Sequence, residues 1–320
     1  MTLADTLFEA FEETRQRAPH IDCRLLAQML DVSEGELQAS RLGRGAVTLA
    51  ITACDLVMLL PRLGPLEVVS EAPHSALASR LDSCRVSGGR HYASLGDDRA
   101  LAMQLLLPCW YWVALSHERP DGGGEALPCV QIFDRFGRAL HRFYLRAPSR
   151  QVRALLECYR AAHTPGFTRC IEAANEPATP SPGKLITEWR RLRGDGDFSA
   201  LLRRHRLRRI DACRAVAGHF SQPVAPGRFI LAMAHRCSRQ QPTAVSIVHG
   251  AGTHRHRQGF EHFNHGRCGR LTLESDQLRL SLAGDALTEA WLVTRRDEGG
   301  LSSRLEGFDS KGRLLVALAT

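Results

Sequence analysis

Apolar residues recur every three or four positions near the start of the chain, with polar residues between them. Over residues 3–18 this spacing predicts an amphipathic helix, and residues 23–30 and 34–40 predict two shorter helices. Ser33 precedes the third helix and is a typical N-cap, because its hydroxyl can accept a free backbone N–H of the first turn. The chain is therefore expected to begin with three helices.

Short apolar runs between glycine, proline and aspartate turns follow over residues 47–144, and this pattern predicts antiparallel strands. Helical spacing returns at residues 150–162, 185–202 and 210–220, and strands are predicted again from residue 228 to residue 318. Helices thus precede strands twice along the chain. That order favours an α+β fold with mostly antiparallel sheet over a parallel β-α-β fold.

A repeated segment supports this division. Residues 129–137 form a predicted strand that ends in a Phe-Asp-x-x-Gly turn, and the same pattern returns at residues 303–312. Upstream of each copy lies an apolar segment that carries tryptophan, at residues 110–115 and 290–293, followed by a polar turn. We predict two tandem homologous halves, each with N-terminal helices and a mostly antiparallel β-sheet.

Prolines concentrate between the two copies, and proline can continue neither a helix nor a central strand. We therefore expect an N-terminal half over residues 1–175, a proline-rich linker at residues 176–184 and a C-terminal half over residues 185–320.

The chain is basic, with 42 Lys and Arg residues against 34 Asp and Glu residues and a net charge of +8. Much of this excess lies in residues 189–193 and 203–209. Such runs face nucleic acid, an acidic surface or the carboxylates of a small ligand, or they form a solvated helix face.

Apolar runs at residues 47–60 and 101–115 are the longest of the chain, and both are shorter than the roughly 20 residues of a helical membrane span. The N-terminus is acidic and lacks the order of a secretory signal. The 10 cysteines include no Cys-x-x-Cys pair, which suits reduced thiols. We expect a cytoplasmic protein without membrane insertion.

Four segments, residues 26–37, 131–145, 188–198 and 288–309, resemble the bacterial cytoplasmic hemin-degrading or heme-utilisation proteins (HemS/ChuX type). The resemblance implies stacked β-sheets with flanking helices and a heme held between sheet and helices of the C-terminal half. It also implies a role in iron acquisition, in which heme or a related tetrapyrrole is received after import and carried or broken down. A heme importer, a heme oxygenase or a second copy of the chain are the partners that it suggests, and heme cleavage by the chain itself is left open.

The chain departs from this family at three positions. Trp189 and Phe198 match a family helix whose Asp-x-His-x-Phe motif supplies the histidine that ligates heme iron, but that position is Gly196 here. An arginine expected near the heme, on a strand of the first half, is Gln104. Family members continue past the last strand with a Gly-x-Arg tail that helps to close the pocket, whereas this sequence stops at Thr320. The resemblance therefore implies heme binding with altered iron ligation.

Other histidines could replace the missing axial ligand. His205 follows Gly196 by nine residues, which places it on the opposite side of an unbroken helix unless the chain turns at residues 194–196. His219 is a weaker candidate. His141 matches a family histidine but is expected to be a hydrogen-bonded structural residue.

Histidines also cluster in residues 253–268. His254 and His256 share a face if the segment is a strand, and His262, His265 and Cys268 follow at three-residue intervals. These side chains are candidate metal or heme ligands, and a surface loop without a metal is the alternative interpretation.

Guanidinium groups are the expected partners of heme propionates, because they hold carboxylates through two hydrogen bonds. The candidates are Arg193 and Arg209, which flank the ligand helix, and Arg296. The aromatic run at residues 110–112 either stacks on a ligand or packs in the core.

We therefore predict a cytoplasmic heme-utilisation protein that binds heme or a related tetrapyrrole as a carrier or heme-degradation accessory. The alternative is a repurposed scaffold that has lost heme and acts through protein or nucleic-acid contacts. Its support is the basic run at residues 203–209 and the helix-turn-helix pattern of residues 25–40.

Overall fold

A computed structural model describes the chain except for residues 1, 19–20, 22, 98–99, 121–123, 170–180, 267–268, 298–299 and 320. The chain divides into two compact units. Unit 1 comprises Met1–Glu71, Ser79–Ile171 and His249–Gly252, and unit 2 comprises Ala72–Ala78, Glu172–Val248 and Thr253–Thr320. Most of the predicted linker at residues 176–184 lies outside the described residues.

The first part of the chain contains five helices within the described residues. In order, its elements are α1 (Leu3–Arg17), α2 (Cys23–Met29), α3 (Glu34–Ala39), β1 (Ala46–Leu49), α4 (Ala53–Leu59), β2 (Leu66–Ala72), β3 (Ser75–Leu81), β4 (Arg85–Gly88), β5 (Tyr92–Gly96), β6 (Leu101–Leu106), β7 (Trp112–Glu118), β8 (Leu127–Phe133), β9 (Ala139–Leu145), α5 (Arg150–Glu157) and β10 (Arg160–Ala161).

The second part repeats this order. Its elements are α6 (Pro182–Trp189), α7 (Asp195–His205), α8 (Arg209–Ala215), β11 (Ser221–Val224), α9 (Pro226–Ser238), β12 (Thr243–His249), β13 (Gly252–Gln258), β14 (His262–His265), β15 (Arg270–Glu274), β16 (Leu278–Ala283), β17 (Glu289–Asp297), β18 (Gly300–Phe308) and β19 (Leu314–Ala319). Within the described residues, both parts run three helices, one strand, one helix and eight strands. The predicted α+β fold of two homologous halves is confirmed.

Each unit has two antiparallel sheets around an apolar core. In unit 1, β10-β1-β7-β8-β9-β2 form one sheet and β4-β5-β6 the other. Ile132 and Phe143 of the larger sheet and Leu95 and Met103 of the smaller belong to one buried cluster, so the two sheets face each other. The predicted stacking of sheets is therefore present.

Unit 2 has the same arrangement. Strands β11-β17-β18-β19-β12-β13 form the larger sheet and β14-β15-β16 the smaller. Val245 and Val316 of the larger sheet share a buried cluster with Leu273 and Leu280 of the smaller. In the described part of the chain, no helix combines the length and apolar character needed to cross a membrane.

The repeated Phe-Asp-x-x-Gly motif is a turn built around its aspartate. Asp134 and Asp309 each accept backbone N–H groups from the residues two and four positions later, over 2.8–3.0 Å. The guanidinium of the fourth residue, Arg138 or Arg313, donates to the second carboxylate oxygen over 2.8 and 2.7 Å. The repeated motif therefore has a structural role in closing two equivalent hairpins.

Gly137 closes the first of these turns with a φ of +74°, and a Cβ atom at this position would overlap the Ser33 side chain. Gly43 has nearly the same φ, +76°, but no described atom lies within 4 Å of its Cβ position. We expect Gly43→Ala to lower the free energy of unfolding by about 1–2 kcal/mol, the cost of a left-handed alanine. Gly137→Ala should cost at least about 1 kcal/mol more, because it also overpacks. Urea unfolding measures both, and equal losses would contradict the expected overlap.

Two predicted strand segments are helical. The apolar run at residues 229–234 is part of α9, in which Phe229, Met233 and Cys237 form a buried stripe at four-residue spacing. The run at residues 53–59 is α4, whose N-cap is Thr52. A short continuous apolar run fits either a buried strand or a buried helix. In both segments, packing against the sheets stabilises the helix.

Candidate functional site

The segment that resembles the heme-ligating helix is folded as two helices of unit 2 rather than as the single helix predicted over residues 185–202. Helix α6 ends at Trp189 and α7 begins at Asp195. Gly194 is the N-cap of α7 with an extended backbone, φ −175°. The break lies before Gly196, which therefore belongs to the first turn of α7.

Trp189 and Phe198 fix this pair of helices in the core. Both side chains are 1 % exposed, and their ring centroids lie 5.0 Å apart in an edge-to-face arrangement. The indole N–H of Trp189 donates to the carbonyl oxygen of Thr294 on β17 over 3.0 Å. These two residues hold α6 and α7 against the sheet.

Gly196, the position of the expected axial histidine, is exposed. A Cβ atom at this position would have no described atom within 4 Å. The first turn of α7 therefore has room for a larger side chain but supplies no iron ligand at this position.

His205 ends α7, about two and a half unbroken turns after Gly196. The predicted turn precedes Gly196, so it does not bring His205 to the same side of the helix. The His205 Nε2 atom lies 3.2 Å from Glu188 Oε2, and Arg204 donates to the same oxygen over 2.5 Å. Burial by itself would raise the pKa of Glu188, but His205 and Arg204 outweigh it and the pKa is lowered.

The three arginines predicted to hold propionates have different surroundings. Arg193 is exposed, and its backbone N–H donates to Asp197 over 3.0 Å. Arg296 is exposed on β17. Arg209 is partly buried and donates to both carboxylate oxygens of Glu306 over 2.7 and 2.6 Å. Of the three, Arg193 and Arg296 are the more accessible to a ligand.

Glu306 is the centre of a buried charge cluster that the residue pattern did not predict. Besides Arg209, Arg295 lies 3.4 Å from its carboxylate, and the Arg295 guanidinium also sits 4.1 Å from the centre of the Phe198 ring. Burial favours a raised pKa for Glu306, but Arg209, Arg295 and Arg304 outweigh it and the pKa is lowered. The alternation of side chains along a strand predicts part of this cluster. Arg295 shares a face with the inward-facing Trp291 and Val293, whereas Arg296 lies on the opposite face.

His254 and His256 lie two residues apart on β13 and are both fully buried. The surface-loop interpretation was therefore wrong for these two side chains. His262 and His265 lie on β14, and Cys268 lies outside the described residues. No group of three or more His, Cys, Asp or Glu side chains suited to a metal ion is present among the described residues.

Gln104 and His141 lie in unit 1. Gln104 is exposed on β6, in register with Ser94 on β5, which is in register with Ser87 on β4. At this register the outward face of the small sheet thus presents two serines and a glutamine. His141 is buried, and its Nδ1 atom lies 3.0 Å from the hydroxyl of Ser70.

No protein-family model matches the chain. The chain is 24 % identical over 322 residues to the hemin transport protein HmuS of Yersinia pestis, covering 98 % of this chain and 91 % of that protein. It is 23 % identical to the hemin transport protein HemS of Yersinia enterocolitica, covering 99 % and 92 %.

Two solved structures have the same fold. Holo-PhuS, a heme-binding protein from Pseudomonas aeruginosa, matches with a TM-score of 0.88 and 24 % identity over 99 % of this chain and 93 % of that chain. The heme-degrading enzyme ChuS of Escherichia coli O157:H7 matches with a TM-score of 0.88 and 19 % identity over the same shares. Both matches extend over the two units and their repeated order of elements.

Proposed function

We propose that this chain belongs to the HemS/ChuS-type heme-utilisation family and binds heme or a related tetrapyrrole with altered iron ligation. In this proposal it acts as a carrier or as an accessory in heme degradation. The observation that carries the proposal is the similarity to two hemin transport proteins over at least 98 % of the chain.

The residues of unit 2 fit part of this role. Trp189 and Phe198 keep α7 in place, and Arg193 is exposed three residues before Gly196, where a guanidinium can hold a propionate. The axial position itself lacks a donor, because Gly196 has no side chain. Heme iron needs a strong axial donor for tight binding, so we expect weaker binding than a histidine at this position would give.

Titration of the purified chain with hemin tests the proposal. We expect a saturable shift of the Soret band at micromolar protein, because the apolar surface of the macrocycle contributes to binding without an axial histidine. The blank is the urea-unfolded chain at the same concentration. The absence of a saturable shift contradicts the proposal.

The same titration identifies the iron donor. His205→Gln, His254→Gln and His256→Gln are compared with the unsubstituted chain, after circular dichroism has shown that each variant is folded. A change of the Soret maximum in one variant assigns the ligand to that residue. Unchanged spectra in all three variants remove these candidates.

One observation favours the alternative, a repurposed scaffold that binds nucleic acid. Six arginines near the ends of α6 and α7 are exposed, namely Arg190, Arg191, Arg193, Arg203, Arg204 and Arg206. Binding through such residues falls steeply as salt is raised. If the chain does not bind duplex DNA at low salt, this alternative is removed.

A further inference from the structure

Helix α9 of unit 2 carries a partly buried arginine, Arg236, in its last turn. The Nη1 atom of Arg236 donates to the hydroxyl of Thr243 over 3.4 Å, and that hydroxyl donates to the carbonyl oxygen of Gln241 over 2.9 Å. Thr243 is 1 % exposed, so the fold fixes the position of this acceptor. The Arg236 guanidinium is therefore held in place by a neutral group.

The other edge of the Arg236 guanidinium is open. Its Nε and Nη2 atoms donate to no described residue, and neither atom is buried. Burial of the side chain lowers the pKa of Arg236, and no carboxylate among the described residues opposes this effect. Moving a cation out of water without an opposite charge is unfavourable. Two N–H donors thus face solvent on a cation that has no internal counter-charge.

Other arginines of unit 2 show what this edge of a guanidinium binds. Arg208 donates from Nε and Nη2 to the two carboxylate oxygens of Asp211 over 2.6 and 3.0 Å. Arg209 binds Glu306 through the same two atoms. Such paired, charge-assisted hydrogen bonds are stronger than bonds between neutral groups. Arg236 presents the same two donors to solvent instead of to a carboxylate of the chain.

We propose that Arg236 binds a small oxyanion, either a carboxylate or a phosphate group, through its Nε and Nη2 atoms. The planar fork of donors matches two oxygens of either group. Arg239 follows one helical turn later and is exposed, with no carboxylate partner among the described residues. Residues three positions apart on a helix are neighbours, so Arg239 adds positive charge beside the site.

This site is separate from the one proposed for heme. Met233 of α9 packs in one buried cluster with Val245, whereas Trp189 and Phe198 of the helices that resemble the heme-ligating segment pack in another. Oxyanion binding at Arg236 does not depend on the proposed function.

The ¹⁵Nε resonance of Arg236, detected through its ¹³Cζ atom, tests the proposal in the full chain. Sodium acetate and sodium phosphate at neutral pH are the probes, and sodium chloride at the same ionic strength is the blank. We expect at least one probe to shift this resonance saturably at millimolar concentration, while chloride leaves it in place. A shift with acetate alone assigns a carboxylate ligand, a shift with phosphate alone assigns a phosphate group, and shifts with both assign an oxyanion of either kind.

Arg236→Lys keeps the positive charge but loses the planar fork. It assigns the resonance, and binding followed at the backbone amide of Thr243 should weaken about tenfold, as for a lost hydrogen bond between charged groups. Arg228→Lys, at an exposed position near the start of α9, is the matched control and should bind within about twofold of the unsubstituted chain. Circular dichroism checks that both variants are folded.

The proposal is overturned if neither probe shifts the Arg236 resonance beyond the chloride blank, a result that needs no variant. It is also overturned if folded Arg236→Lys binds the probe as tightly as Arg228→Lys. Since the titration contains no hemin, failure here is separate from failure of the heme proposal.

Discussion

Gly196→His is expected to raise the affinity for hemin by at least about tenfold, or about 1.4 kcal/mol of binding free energy. The substitution supplies an imidazole, which is the commonest axial donor of heme iron. It does so at the position where the family resemblance implies an axial histidine. Gly196 is exposed, and a Cβ atom there meets no described atom within 4 Å. The new side chain should therefore be accommodated without rearrangement of α7. Hemin titration with the Soret band as readout measures the gain.

Gly196→Ala separates ligation from helix stability. Alanine removes the conformational cost of a helical glycine, so Gly196→Ala should gain about 0.5–1 kcal/mol of unfolding free energy, and Gly196→His should gain less because histidine has a lower helix propensity. Only Gly196→His should change the Soret maximum and the affinity for hemin. If the two variants bind hemin equally, Gly196 does not occupy the axial position, and the register of the resemblance over α7 is wrong.

Glu306→Gln is expected to lower the free energy of unfolding by about 3–5 kcal/mol, the usual loss when one partner of a buried ion pair is removed. The Glu306 side chain is fully buried and accepts two hydrogen bonds from Arg209. Glutamine keeps the shape but removes the negative charge, so Arg209 and Arg295 lose the carboxylate that compensates them. Urea unfolding followed by circular dichroism measures the loss.

The pH dependence of stability gives an independent measure of the same carboxylate. The pKa of Glu306 is lowered in the folded chain, so its contribution is present above the pKa of an unfolded glutamate and is lost as pH falls through the folded pKa. Glu306→Gln should therefore flatten the loss of stability in acid. Exposed Glu261→Gln is the control and should change stability by no more than about 0.5 kcal/mol. Equal effects of the two substitutions would contradict a buried charge cluster.

Local signals in the sequence predicted the elements whose stability is local. Ser33 caps α3 through its hydroxyl, which accepts the N–H of Glu36 over 3.2 Å. The repeated turn forms because Asp134 and its counterpart satisfy backbone N–H groups only a few residues away. Interactions of this kind depend on neighbouring residues, so the residue pattern alone identifies them.

Elements stabilised by distant packing were harder to predict. The apolar run at residues 229–234 was expected to be a strand, but Phe229 and Met233 pack with sheet residues such as Val245 in one cluster. Likewise, the buried charge cluster contains Arg295, whereas its neighbour Arg296 is exposed. A one-residue shift along a strand reverses which side chains face the core.

By itself, the sequence determined the duplicated α+β fold and most of its helices and strands. These features follow from spacing, caps and turns, which act over a few residues. Only the tertiary structure decided that Glu306 pairs with Arg209 and Arg295, that His254 and His256 are buried, and that the Trp110 N–H has no acceptor among the described residues. Such features depend on which distant side chains meet, because burial and hydrogen-bond partners are set by packing across the chain.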